Sequence, residues 1–294
     1  MKKLILPILF VFCIAFTLGG ISFNVTTFDA YADTNASINE IEGAEQIDSA
    51  EKLENIFNNY NSANYSKTNF VLTADINMAG RTLNTTFGTK ENPYQGVFDG
   101  RGFEISNVVL DLSENSVNSQ YAGFFGYANN AEIKNLSLRN VSLKTGSAID
   151  TYAGALVGKA DNCDISYVQF EGTFTYNLTD YSSNLDLGLL VGNANLSDLT
   201  NVICRQANSN TLSLSFPKFD GKTANICGVV GSLTSSKLLF GVVGFRFNCA
   251  VDNAFSGNVN VGGVAGSVSG SRASVVNFAL YDTVRCSRAL PIPG

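Results

Sequence analysis

The chain of 294 residues contains no histidine and no tryptophan, five prolines and two methionines. The missing histidine removes Ser-His-Asp and Cys-His nucleophilic catalysis and histidine-ligated zinc. Carboxylate pairs, lysine or arginine bases and calcium sites are the chemistries left. Charge is also scarce: 15% of residues are charged against 45% apolar, with a formal net charge of −6. Such a chain folds rather than staying disordered. An acidic chain lacks the basic face that phosphate binding needs, so nucleic acid is not an expected partner. No C-x-x-C pair occurs.

The start reads as an export signal. Lys2 and Lys3 precede an apolar run from Leu4 to Leu18, and Ala30-Tyr31-Ala32 forms an A-x-A triplet ahead of Asp33, which predicts a signal peptide over 1–32. The run is short and Pro7 interrupts it, which argues against a membrane anchor, and no second apolar stretch is long enough to span a bilayer. Phe12 before Cys13 argues against a lipoprotein cysteine. Removal of Lys2, Lys3 and Asp29 changes the charge from −6 to −7. The expected location is secreted, extracellular or at the cell surface. Five cysteines then remain, Cys163, Cys204, Cys227, Cys249 and Cys286. Their odd count and differing offsets read as buried apolar fillers with room for one bridge.

Five copies of a short phrase dominate the rest: YAGFFGYA from Tyr121, YAGALVGKA from Tyr152, LGLLVGNA from Leu187, ICGVVGSL from Ile226 and VGGVAGSV from Val261. Their anchor glycines, Gly126, Gly158, Gly192, Gly231 and Gly266, are 32, 34, 39 and 35 residues apart. Self-similarity at this period means stacked units that cannot bury their apolar faces alone. Two residues before the glycine stand Phe124, Leu156, Leu190, Val229 and Val264, and two after it Ala128, Ala160, Ala194, Leu233 and Val268; that spacing is one face of a strand. The position just before the glycine is also apolar, which implies burial on both faces, with the inserts 206–225 and 245–260 as expected covers. Seven after the glycine come Ile133, Ile165, Leu199, Leu238 and Ala273. Ten after it come Leu136, Val168, Val202, Gly241 and Val276, and twelve after it Leu138, Phe170, Cys204, Val243 and Phe278. The change of phase demands a bend, where Asn135 and Asn201 tolerate a left-handed backbone. Strand, turn, strand, bend, strand is one coil of a parallel β-solenoid, with a β-propeller as the alternative.

Upstream, Ile47, Leu53, Ile56, Phe57 and Tyr60 share a helical face, with Asp48 or Ser49 as N-cap and Glu51 in the first turn. A short N-terminal capping helix would close the open end of a stacked sheet. The expected division is a signal peptide (1–32), a flexible leader (33–46), a capping helix and linker (47–65), a β-solenoid with five repeats (66–284) and a tail (285–294).

The phrases Gly154-Ala155-Leu156-Val157-Gly158 and Gly188-Leu189-Leu190-Val191-Gly192 resemble the GLUG repeat. The stretch Phe70-Val71-Leu72-Thr73-Ala74-Asp75-Ile76, then Gly96-Val97-Phe98-Asp99-Gly100-Arg101-Gly102, is similar to the usual lead-in. The resemblance covers roughly residues 66–281. It implies an all-β, right-handed parallel β-helix of the pectin-lyase type in an exported bacterial surface protein. Relatives of this kind include adhesin-like chains and non-catalytic regions of some immunoglobulin-A-cleaving metallopeptidases. It assigns no catalytic residues. The chain departs from large members by ending soon after the array, with no HExxH motif and no recognisable anchor.

Two charged columns follow from the alignment. Six after the glycine stand Glu132, Asp164, Asp198, Lys237 and Arg272. Stacked coils would bring neighbours to about 4.8 Å. Solvated turn residues, a calcium site and a carboxylate pair at glycosidase spacing are the three readings. Thirteen after the glycine, Arg139, Glu171 and Arg205 read as a surface ion-pair ladder or as an arginine grip on an acidic sugar. Asp99, Glu104 and Asp111 are spread over turns and strands, and turn chemistry accounts for Asp99. Asn-x-Ser/Thr triplets at Asn64, Asn84, Asn135, Asn140, Asn177 and Asn195 read as asparagine richness, and Leu290-Pro291-Ile292-Pro293-Gly294 only superficially as a sortase signal. The expected function is a non-catalytic binding, adhesion or spacer module for a glycan or protein ligand, with no cofactor required. A polysaccharide lyase or glycosidase on the same fold is the alternative.

Overall fold

In the computed structural model, residues 41–62, 64–114, 120–145, 150–178, 184–206, 212–216, 221–244, 247–251, 257–281 and 284–288 are described. The expected signal peptide and the Leu290–Gly294 segment lie outside them. The chain is a parallel β-solenoid. Each glycine phrase builds one rung from three strands, and every rung pairs in parallel with the next. An entry sheet holds Tyr121–Ala122, Asp150–Ala153, Asn184–Gly188, Thr223–Cys227 and Asn258–Gly262. A glycine sheet holds Phe125–Asn129, Val157–Asp161, Val191–Asn195, Val230–Thr234 and Ala265–Ser269. A long sheet of ten strands carries Glu132–Thr145, Asp164–Leu178, Asp198–Gln206, Lys237–Gly244 and Ser274–Tyr281, preceded by five lead-in strands.

The repeating glycines are explained by approach distance rather than by backbone angle. None of the five anchors has positive φ. A Cβ on Gly158 would lie 2.6 Å from the Ala122 nitrogen and 2.7 Å from the Gly126 carbonyl oxygen. The glycine sheet thus rests directly on the backbone of the rung before it. Phe125, Val157, Val191 and Val230, beside the anchors, are fully buried.

Corners recur in register. Asn130, Asn162, Leu196, Ser235 and Gly270 take left-handed backbone angles between the glycine and long sheets. Within the long sheet the expected bend falls at Asn135 and Asn201, and Tyr167, Phe240 and Asn277 adopt the same conformation. Asparagine is suited to this region, whereas other side chains cost about 1–2 kcal/mol there. Asparagine also links rungs: Asn140 Nδ2 donates to Asn107 Oδ1 at 3.2 Å, and Asn107 Nδ2 to Asn77 Oδ1 at 2.9 Å.

The described parts of the inserts add a further strand to the later rungs. Leu212–Phe216, Phe247–Val251 and Val284–Arg288 form a fourth parallel sheet of their own, because a stacked coil lengthens most easily by stacking its extra residues too. Backbone pairing therefore runs past residue 284, and at the other end Glu45–Ile47 already pairs with Phe70–Leu72.

The helix Ala50–Asn59 is capped by Ser49, whose side chain accepts from the Lys52 amide. It buries Leu53, Ile56 and Phe57. Phe57 packs edge-on against Phe87 and Phe124, with centroids 5.5 and 5.0 Å away, and Tyr60 packs on Phe87 at 5.0 Å. An aromatic plug thus closes the N-terminal end. On the last rung, by contrast, Val268, Val275, Val276 and Leu280 are exposed. No helix among the described residues is long and apolar enough to cross a membrane.

Candidate functional site

The acidic column stacks only in part as expected. Glu132, Asp164, Asp198 and Lys237 are in register on consecutive rungs. The fifth member is not Arg272: Ser274 pairs with Lys237, because the last rung carries two extra residues in its turn. That shift also places Phe278 opposite Gly241 and Leu280 opposite Val243, so Ala273, Val276 and Phe278 do not hold the positions that glycine spacing suggests. Arg272 instead reaches back from the turn to Asp198, with Nη2–Oδ1 at 2.8 Å. Lys237 Nζ lies 3.5 Å from the other Asp198 oxygen, and Lys134 Nζ lies 2.6 Å from Glu132. Asp164 is exposed. Among the described residues no three histidine, cysteine, aspartate or glutamate side chains gather closely enough to hold a metal ion. The column is a solvated edge whose outer members are paired with cations. The second column is in register as Arg139, Glu171 and Arg205; Arg139 sits between Glu104 at 2.9 Å and Glu171 at 3.5 Å.

A different surface brings side chains together. Tyr121, Tyr152, Asp186, Asn225 and Asn260 form one ladder on the outer face of the entry sheet. Tyr127, Lys159, Asn193, Ser232 and Ser267 form another on the glycine sheet. The two ladders touch across the corner between the sheets. Tyr121 stacks on Tyr127 at 5.3 Å and on Tyr152 at 5.6 Å. The Lys159 ammonium lies 5.5 Å from the Tyr127 ring centre and 5.6 Å from that of Tyr152, a cation–π arrangement. Outward side chains of two adjoining faces can meet only if the corner is concave, so the ladders line a trough along the stack.

Hydrogen bonds fix the trough's carboxylates. Asp161 accepts from the Tyr127 hydroxyl at 2.6 Å and from Asn195 Nδ2 at 3.0 Å, with Lys159 Nζ at 3.3 Å. Asp186 accepts from Asn193 Nδ2 at 2.8 Å and Asn225 Nδ2 at 2.7 Å. Burial, then the Asp161 contact, pushes the Tyr127 phenol well above its ordinary range. Beyond the tyrosines the trough opens into a cavity of about 300 Å³ lined by Thr151, Tyr152, Asn184, Asp186, Thr223 and Asn225. Its lining is rich in hydroxyl and amide groups, which bind polar ligands by direct hydrogen bonds.

Three cysteines, Cys163, Cys204 and Cys227, are free and buried. All three belong to the buried core, and two also bond to backbone: the Cys163 thiol donates to the Asp161 carbonyl at 3.3 Å and that of Cys227 to the Val264 carbonyl at 3.0 Å. Cys249 and Cys286 are paired by backbone register; their side chains lie outside the described residues.

No family model, no curated protein and no solved structure matches this chain.

Proposed function

We propose that the chain is an exported, non-catalytic binding module that presents its trough to a polar extracellular ligand. The carrying observation is the pairing of two outward ladders across a concave corner, from Tyr121 and Tyr127 through Tyr152 and Lys159 to Asp186 and Asn193. A rigid stack of rungs holds such a surface without the ordering cost that a loop would bear. Asp161 and Asp186 have both oxygens engaged by neighbouring donors, which suits fixed recognition better than proton transfer to a substrate. The apolar signal at the start of the sequence and the resemblance to the GLUG repeat support export and surface display.

The test is a binding screen of the purified full-length chain against glycans, polysaccharides and extracellular proteins, with Asn225→Ala and Asp186→Ala as trough variants. Binding weakened by both variants supports the module. Release of reducing or unsaturated sugar products by the wild-type chain would replace it with the enzyme reading.

A further inference from the structure

The bend in the long sheet carries one ladder that the trough does not use. Its members are Asn135, Tyr167, Asn201, Phe240 and Asn277, one per rung, as their flanking residues pair. All five have left-handed backbone angles, with φ from 53 to 59°. Asparagine suits that slot, and three of the five rungs use it. The other two hold aromatic rings in a conformation unfavourable to them, and the rings gain little packing in return: Tyr167 is 50% and Phe240 49% exposed. The core rings Phe87, Phe98, Phe124 and Phe170, by contrast, are fully buried. Strained, outward-facing rings are the expected mark of a surface kept for contact with something else.

The order along the ladder identifies that contact. The rings fall on every second rung, so their spacing is about 10 Å, twice the rise between paired strands. The rung between them presents an amide, Asn201, that both donates and accepts. Neither the rings nor the amides carry charge. A protein-docking patch has a contiguous apolar core within a polar rim, whereas this pattern is linear, periodic and alternates apolar with hydrogen-bonding groups. An extended β-linked chain of pyranoses has that alternation: successive rings flip, so an equivalent apolar face recurs every second sugar, with hydroxyls between. We infer that Tyr167 and Phe240 form a platform for a neutral, β-linked polysaccharide lying along the solenoid axis, with Asn201 bonding the intervening sugar's hydroxyls. The inference rests on the binding-module reading and names a ligand class for a second surface of that module.

The experiment is retention of the full-length chain on microcrystalline cellulose, on chitin, and in gels containing soluble mixed-linkage β-glucan. The variants are Tyr167→Asn, Phe240→Asn and the double variant, which install the residue that neighbouring rungs already use and so keep the fold. The wild-type chain is retained by at least one probe, and the double variant weakens that affinity about tenfold or more, with the single variants between. Thermal unfolding of the variants is unchanged or raised. Failure of the wild-type chain to bind any of the three probes, or equal retention of the double variant, overturns the platform. Asn225→Ala is run alongside: if it alone abolishes retention, the trough holds the glycan and the module reading stands without the platform. If the wild-type chain binds nothing here and nothing in the broader screen, the module reading falls as well.

Discussion

The backbone amide of Cys163 donates to the hydroxyl of Ser197, one rung later, at 3.0 Å, and Ser197's own amide donates to Ser236 at 2.9 Å. Each hydroxyl also donates to a carbonyl two residues before it in its own rung, Asn195 for Ser197 and Thr234 for Ser236. The neighbouring corner amides pair backbone to backbone across the rungs, as Asn162 does with the Asn195 carbonyl and Asp164 with that of Ala131, whereas at this one corner position a short polar side chain supplies the acceptor. Ser197→Ala leaves the buried Cys163 amide unpaired and lowers stability by about 1–3 kcal/mol. Urea unfolding measures it; a change within error would show that water or a backbone shift replaces the hydroxyl.

Gly158→Ala is destabilising despite an ordinary φ, because its Cβ meets backbone atoms of Ala122 and Gly126 rather than side chains that can move. Overpacking of this kind costs about 1–3 kcal/mol or more. Expression yield and thermal unfolding report it. An alanine variant as stable as the parent would mean that the rungs separate more easily than their register suggests.

Burial pushes the Cys163 and Cys227 thiols up to about 12, from an ordinary value of 9.0. Between these values the unfolded chain releases protons that the folded chain keeps. The stabilisation is complete below pH 9 and is lost as pH rises towards 12, at about 1.4 kcal/mol per pH unit for each thiol. Urea titrations at pH 8, 9.5 and 10.5 should show stability falling with pH. The fall is shallower for Cys163→Ser, whose hydroxyl does not ionise in this window. Identical slopes for both proteins would contradict the buried-thiol origin.

Asp198 is held by Arg272 and Lys237 at the protein surface. Asp198→Asn therefore changes stability by no more than about 1 kcal/mol, and millimolar calcium leaves the melting temperature of the wild-type chain unchanged. A rise of several degrees with calcium, lost in the variant, would give the acidic column a metal-binding role.

Backbone periodicity was legible in the sequence because the inward positions repeat strictly: Phe124, Leu156, Leu190 and Val229 mark one face without ambiguity. The Asn135 and Asn201 bends were legible for the same reason, since asparagine has a local preference for the left-handed region. Tyr167 and Phe240 were hidden in that slot because neither residue type signals it. The trough was harder still. Tyr121 and Tyr152 pair on adjacent rungs, yet they stand five and six residues before their anchor glycines, because the first rung is one residue shorter. An alignment on the glycines alone sets them out of phase. The apparent place of Arg272 failed in the same way, through two extra residues in a turn. Turns absorb length without disturbing strand register, so spacing predicts stacked partners only within a strand.

The aromatic plug at Phe57, Phe87 and Phe124 gives the array a direction. Inserting or deleting a rung beside the helix would pull these rings apart, whereas a rung gained or lost at the edge of Ser274–Tyr281 leaves every ring contact intact. Array length is therefore adjustable at one end only. Each such change moves whatever lies beyond the last rung by a step of about 4.8 Å, and leaves the surface near the plug as it was.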